Sequence, residues 1–340
     1  MMSKRRTYHL AACVAMAMLL LGSCGHKEVT DDMADSTKLQ ILDLRLEKTP
    51  DDHELLAARA QVLFNLGRMR EASYDINRAL KAVPDNLKYM ILKADITFAN
   101  GEVGTSYQTL EEAEKIDPDN LDLQLKMGEI TFYSRDYDRS LEHLSKVTAK
   151  DPNNRTALFM KGFVYKEKGD TASAVEFLRR VCDKYPDYAP AFEELGILYS
   201  VHDNPMAIEY LNTALQIEPS NTNTLYALAL FYQNRNDYEN AETLYRQMLD
   251  INPASADAWH NLGYIELFHY RDYERAVEYF TKALEANPQC IEAYANRGCA
   301  YELMEKPALA RGDFETVLAY DPDCTAAAEG LKRIKLRIEN

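Results

Sequence analysis

Several things are scarce in this sequence, and each scarcity excludes something. The N-terminal apolar run, Leu10 to Leu21, spans twelve residues. A membrane-crossing helix needs about 20, so the run is not read as a span. Positive charge is in deficit: 39 lysines and arginines stand against 54 aspartates and glutamates, a net charge of −15. Three of those cations are Lys4, Arg5 and Arg6, and without them the remainder carries −18 (−15 − 3). Nucleic-acid binding needs a basic stripe, so no nucleic acid is expected as a partner. An acidic body also repels anionic lipid, so charge alone would not hold it to a membrane. A solvated acidic surface is the plain reading of this charge. The cysteines show neither a CxxC pair nor zinc-ligand spacing. Cys182, Cys290, Cys299 and Cys324 are expected to pack as small apolar residues, with a disulfide among them left open. There is no HExxH, no glycine-rich phosphate loop and no GxSxG. The seven histidines are scattered, and His260 and His269 are too far apart on one helix to share a metal directly. Most carboxylates fall in helix turns or on solvated faces. No catalytic constellation, metal or cofactor is therefore expected.

What is present begins at the N-terminus. Lys4, Arg5 and Arg6 precede the apolar run, and Gly22, Ser23 and Cys24 follow it. A basic start, a short apolar core and small residues make a secretory signal. On these residues alone, an ordinary signal that happens to end near a cysteine stays open. The stretch also resembles the bacterial lipoprotein signal, in which a leucine and two small residues precede a cysteine, matched here by Leu21, Gly22, Ser23 and Cys24. That resemblance implies cleavage after residue 23 and lipid on the sulfur and new amino group of Cys24. Several acyl chains, at roughly 0.8 kcal/mol per CH₂, would make a stable anchor. Residues 24–35 continue as "CGHKEVTDDMAD", polar and without apolar periodicity, which reads as a flexible acidic tether. A dozen extended residues reach about 40 Å. Gly25 after the cysteine favours the outer membrane, by resemblance to enterobacterial sorting.

Nine prolines organise the rest. They stand at 50, 84, 118, 152, 186, 219, 253, 288 and 322, with spacings of 34, 34, 34, 34, 33, 34, 35 and 34. Such a period marks an internal repeat array. Each interval holds two helical patterns. In "RTALFMKGFVYKEKGDTASAVEFLRRVCDKYP" the first carries Leu158, Gly162 and Tyr165, and "KEKGD" breaks it. The second carries Ala174, Leu178 and Val181 and stops before Pro186. Steps of three and four residues put these side chains on one face. Gly162 would allow close approach of the neighbouring helix. Aspartate, asparagine or serine follows most repeat prolines, suited to capping the next helix. Pro190, Pro205 and Pro307 stand where helices should begin.

The seventh interval shows Trp259, Leu262, Gly263, Ala276, Phe280 and Pro288. The fifth shows Phe192, Leu195, Gly196, Tyr199, Ala207, Leu211 and Pro219, and the eighth Tyr294, Gly298, Tyr301, Ala310, Phe314 and Pro322. This resembles the tetratricopeptide repeat, W-x2-L-G-x2-Y, then A-x3-F, then P. It implies an all-α fold, an α-α solenoid of about eight helix pairs over residues 53–322. Residues 36–52 would form an N-terminal capping helix and 323–340 a C-terminal one, whose Lys332, Arg333, Lys335 and Arg337 keep one face soluble. One continuous array is expected rather than several globular domains. Departures are local. Glu266 replaces the tyrosine of repeat seven, which has one extra residue near "FHYRDYE"; repeat five is one short near "HDNPM". Both changes are expected in the loops between paired helices. Repeat two carries Lys93, Thr97 and Ser106 at normally apolar or small positions, and its boundary is expected to be a softer point.

The resemblance also implies where binding would occur. First helices line a groove through their second, fifth, ninth, twelfth and thirteenth positions. Phe64, Phe98 and Phe132 occupy the twelfth position of the first three repeats; repeat four offers Phe159 and Phe163; repeats six and seven offer Tyr226, His260, Tyr264 and Phe268. One reading is an aromatic stripe holding apolar anchors of a peptide or helix. The other is packing between neighbouring first helices. Asn261 and Asn296 share the sixth position of consecutive repeats, where paired amides could bond a peptide backbone, or could cap or face solvent. A family variant that clamps a C-terminal carboxylate with lysines, arginine and asparagines is not matched: Lys88 is the only basic residue at a second position, and no lysine or arginine stands at a fifth. The expectation is a non-catalytic, lipid-anchored scaffold or assembly factor that binds proteins of the bacterial cell envelope. The alternatives are an adaptor for an envelope protease or peptidoglycan enzyme, and a hydrolase with its site in loops. The short loops argue against the last.

Overall fold

The computed structural model describes residues 33–339; the signal segment, Cys24 and the tether up to residue 32 lie outside the described residues. The described residues form α-helices and one π-helical turn, with no strand among them. They belong to two compact units divided between Lys150 and Asp151. The division falls after the third repeat rather than at the polar second one, and the even proline spacing runs through it unmarked.

The first unit holds a capping helix α1 (Asp35–Leu46) and three pairs: α2 (His53–Asn65) with α3 (Met69–Ala82), α4 (Leu87–Ala99) with α5 (Val103–Ile116), and α6 (Leu121–Tyr133) with α7 (Tyr137–Lys150). The second holds α8 (Arg155–Glu167) with α9 (Thr171–Lys184), α10 (Ala189–Val201) with α11 (Met206–Ile217), and α12 (Thr222–Asn234) with α13 (Tyr238–Ile251). Then come α14 (Ala256–Ile265), the π-turn Glu266–Tyr270 and α15 (Tyr273–Ala286), α16 (Ile291–Leu303) with α17 (Pro307–Tyr320), and the cap α18 (Thr325–Glu339).

Local chemistry sets the helix starts. The N-cap of each first helix is the second residue after a repeat proline. Asp52, Asn86, Asn120, Asn154, Asn221 and Ser255 each accept from a backbone N–H in the first turn. This satisfies a donor that the helix itself leaves orphaned. Tyr188 and Cys290 make no such bond at the same position, and Pro190 pre-sets the backbone of α10 instead. Between paired helices every repeat turns through one left-handed residue: Gly67, Gly101, Arg135, Gly169, Asp203, Asn236, Arg271 and Glu305. Outside repeat seven the turn closes with the paired bonds of a Schellman cap, as where Gly67 N–H donates to Phe64 O at 2.9 Å and Arg68 N–H to Leu63 O at 2.8 Å; in repeat seven Arg271 and Asp272 N–H both donate to Glu266 O.

Packing within a pair repeats along the chain. A Cβ on Gly162 would sit 2.8 Å from Leu178, and one on Gly263 2.8 Å from the Phe280 ring, so the bare backbone admits the partner's large side chain. Leu178 and Phe280 are almost wholly buried, each worth about 2–3 kcal/mol of apolar transfer. Repeats two and three solve the contact with polar groups. Thr97 and Thr131 bond carbonyls of their own helices, while Ser106 donates to Ala94 O and Ser140 to Gly128 O, both at 2.7 Å. Thr97 and Ser106, two of the residues that weaken the second repeat's pattern, are thus satisfied inside it. The first and last repeats differ from the rest by a bidentate ion pair at their seventh and twenty-third positions. Arg59 grips Asp75 at 2.6 and 2.9 Å, and Arg297 grips Asp313 at 2.9 and 2.8 Å.

Repeat seven corrects the loop expectation. Its extra residue is absorbed in the helix end as the π-turn, not in the loop. Glu266, in place of the tyrosine, is buried and bridged to Arg275 at 2.9 Å, while its other carboxylate oxygen has no partner. Burial pushes its carboxyl above the usual range. Repeat five loses its residue at the start of α11, which begins at Pro205 and Met206. The four cysteines outside the N-terminal segment are unpaired thiols. Burial pushes Cys182 up to about 12, far from a reactive thiolate.

Candidate functional site

The candidate aromatics divide by what they touch. In the first unit, Phe64 is half-buried on the core shared by α2 and α3. Phe98 lies 5.4 Å from the Tyr133 ring, and Phe132 lies 5.5 Å from Tyr133 and 6.0 Å from Tyr137. These three phenylalanines are packing residues with one edge open. The exposed aromatic among them is Tyr133, which the sequence reading did not single out. Its signal was its place at the thirteenth position of repeat three.

In the second unit, Phe159 and Phe163 meet edge to face at 4.9 Å, and Phe159 meets Tyr188 at 5.2 Å. Both are half-buried. Tyr226 lines a groove of about 440 Å³ between α10 and α12, with Ile197, Ser200, Val201, Asn223 and Leu230. Of these only Tyr226 was singled out from sequence. Ile197, Val201 and Leu230 were legible as apolar residues at ninth and thirteenth positions, where a solvated face would carry polar ones. Tyr264 and Phe268 pair at 4.6 Å, and Phe268 is 53% exposed. The π-turn carries Phe268, His269 and Tyr270 outward while Glu266 and Leu267 go in.

The two asparagines do not form the expected amide pair. Asn261 is buried, donates to Asp257 O at 2.8 Å, and accepts a long 3.5 Å contact from Gln233. Its amide is engaged inside the fold. Asn296 instead bonds His260 at 3.0 Å, joining α16 to α14. Burial holds the His260 ring below the ordinary histidine range, so it is neutral at neutral pH. Among the described residues, no group of three or more histidines, cysteines or acids is placed to hold a metal ion. None of the described helices is long and apolar enough to cross a membrane.

The arrangement defines a helical-hairpin repeat protein whose first helices present apolar and amide side chains to solvent. Tetratricopeptide repeat family models match residues 45–120 and 125–189, residues 201–265, and residues 256–290 and 291–324. The chain belongs to the tetratricopeptide repeat family. Among solved structures, it is similar to the C-terminal part of a repeat-containing protein from Cytophaga hutchinsonii, at 16% identity and a TM-score of 0.60, over 72% of this chain and 99% of that one. A tetratricopeptide repeat protein from Parabacteroides merdae matches at 18% identity and a TM-score of 0.54, over 73% and 98%. A chain of the APC/C hetero-tetramer Cut9–Hcn1 matches at 19% and 0.53 over 87% of this chain, which spans 58% of that chain's length. At these identities the likeness is one of fold. No curated protein matches the sequence.

Proposed function

We propose that this protein is a non-catalytic binding scaffold of the bacterial cell envelope, tethered by lipid on Cys24. Its first helices hold a segment of another protein, and it serves in the assembly of an envelope complex of outer-membrane, secretion or pilus type. The observation that carries the binding half is the apolar surface of repeats five to seven: Val201 stands exposed in the Tyr226 groove, and Tyr264 and Phe268 stand exposed as a ring pair. Burying such side chains against a partner is favourable, and aromatic anchors commonly dominate binding energy. The sequence from Lys4 to Cys24 supports the anchor. The acidic tether behind it supports a folded part held clear of the lipid.

Two experiments test the two halves. Metabolic labelling with a fatty acid should mark the protein, and Cys24→Ala should abolish the label; a label that survives the change sinks the anchor. Crosslinking in intact cells, followed by purification, should recover defined envelope proteins. The double variant Tyr264→Ala/Phe268→Ala should lose them while keeping its helical circular dichroism. An unchanged partner set would remove this surface from the function.

A further inference from the structure

The binding surface of the second unit has a one-sided charge pattern. The second, fifth, sixth, ninth, twelfth and thirteenth positions of repeats five to eight include Glu193, Glu194, Asp257, Glu292 and Glu302, and neither lysine nor arginine. Three of the carboxylates are already engaged: Glu194 accepts from Lys166 at 2.7 Å, Glu302 is held bidentately by Arg333 at 2.9 Å, and Glu193 accepts from the Asn221 amide at 3.0 Å. Asp257 and Glu292 are exposed and make no salt bridge among the described residues. His260, which shares their field, is kept neutral by burial and does not offset them. At the far end of the groove Arg235 is bridged to Asp203 at 2.7 Å. The exposed Tyr264–Phe268 pair and the Tyr226 groove supply the apolar contact.

From this juxtaposition we infer that the second unit's groove is built for a cationic amphipathic segment of a partner protein. Its apolar side chains seat against Tyr226, Tyr264 and Phe268, and its lysines or arginines meet Asp257 and Glu292. The inference rests on the binding half of the proposed function and names the chemistry of its partner. An acidic segment would bring like charge to unpaired carboxylates, which costs affinity. A neutral apolar segment would leave those carboxylates partly desolvated and unmatched.

The test uses the full chain in nanodiscs of zwitterionic lipid, with empty nanodiscs subtracted. The probes are a fluorescent leucine–lysine amphipathic peptide and two analogues with glutamine or glutamate for every lysine. The lysine peptide should bind about tenfold tighter than the glutamine one, and the glutamate peptide weakest. Raising salt well above physiological strength should erase most of that preference. Tyr264→Ala/Phe268→Ala should weaken the lysine peptide about tenfold with net charge unchanged. Asp257→Asn/Glu292→Gln should bring it down to the level of the glutamine peptide. Equal binding of lysine and glutamate peptides overturns the inference. So does lysine-peptide binding indifferent to the aromatic pair, which is diffuse attraction to an acidic body. If cellular crosslinks still depend on Tyr264 and Phe268 while the lysine preference fails, the scaffold reading stands and only the partner's chemistry falls.

Discussion

Removing the carboxylate of Asp313 isolates the ion pair that marks the last repeat. In the folded chain, Arg297 Nε and Nη2 donate to Asp313 at 2.9 and 2.8 Å, and Nη1 donates to Thr281 Oγ1 at 3.1 Å. The side chains are 17% and 8% exposed, so both charges have left most of their water behind. The pairing with Asp313 raises the Arg297 pKa further, so the guanidinium cannot escape by losing its proton. Asp313→Ala therefore strands a buried cation, which costs about 3–5 kcal/mol in comparable pairs. The residual exposure of Arg297 and its bond to Thr281 favour the lower end, about 3 kcal/mol. In a repeat array the loss is local, since each repeat leans only on its neighbours. Hydrogen exchange should then show amides of α16 and α17 losing about a hundredfold of protection, with α8 and α9 unchanged. The double change Arg297→Leu/Asp313→Tyr installs the pair that repeat seven carries as Leu262 and Tyr279. An apolar replacement of matching volume should return stability to within about 1 kcal/mol of the original. A cost below about 1 kcal/mol for Asp313→Ala, or a double variant as weak as the single one, would refute the account of a desolvated pair.

Two further outcomes are expected. At the left-handed turns, Arg135→Gly and Arg271→Gly should each stabilise their unit by about 0.5–1 kcal/mol, because a Cβ is strained at φ of 61° and 59°. Gly169→Ala should cost about 1 kcal/mol through the backbone alone, since nothing lies near its missing Cβ; urea midpoints check all three changes. In the first unit, His143 is buried against Gln124 at 2.7 Å, and burial lowers its pKa from 6.5. The unfolded chain thus takes up the proton first as pH falls. This contribution to stability is whole above about 6.5 and is lost below it, towards the folded-state pKa. An NMR titration should place His143 below an ordinary histidine, and a midpoint at or above 6.5 would contradict the burial argument.

Some of the candidate site was legible and some was not, for reasons that particular residues make plain. Repeat position marked Tyr226, Tyr264 and Phe268 as aromatics, and the structure puts the first two on α12 and α14 and the third in the π-turn, with Tyr264 and Phe268 exposed. Position could not show that Asn261 turns its amide back to Asp257 O, or that Asn296 pairs with His260 across to α14. Those outcomes depend on which neighbour arrives within hydrogen-bond distance. The lone aromatic at a twelfth position says nothing about whether an adjacent ring covers it. Tyr137 packs on Phe132 and Tyr133 takes the solvent side, a choice made by the packing of α6 on α7.

Sequence by itself determined the period, the number of helix pairs and the family, because proline, capping and apolar spacing are local and recur every turn of the pattern. Only tertiary structure decided where the extra residue of repeat seven went. A helix can widen by one residue as readily as a loop can lengthen, and the balance depends on burying Leu267 and pairing Glu266 with Arg275. Only tertiary structure, too, brought Tyr264, Phe268 and the groove beside Tyr226 into the unit that also presents Asp257 and Glu292, exposed and without a salt bridge among the described residues. Asp257 lines one pocket with Tyr226 of the preceding repeat, and the stacking of helices within that unit, not their order in the chain, makes those two neighbours.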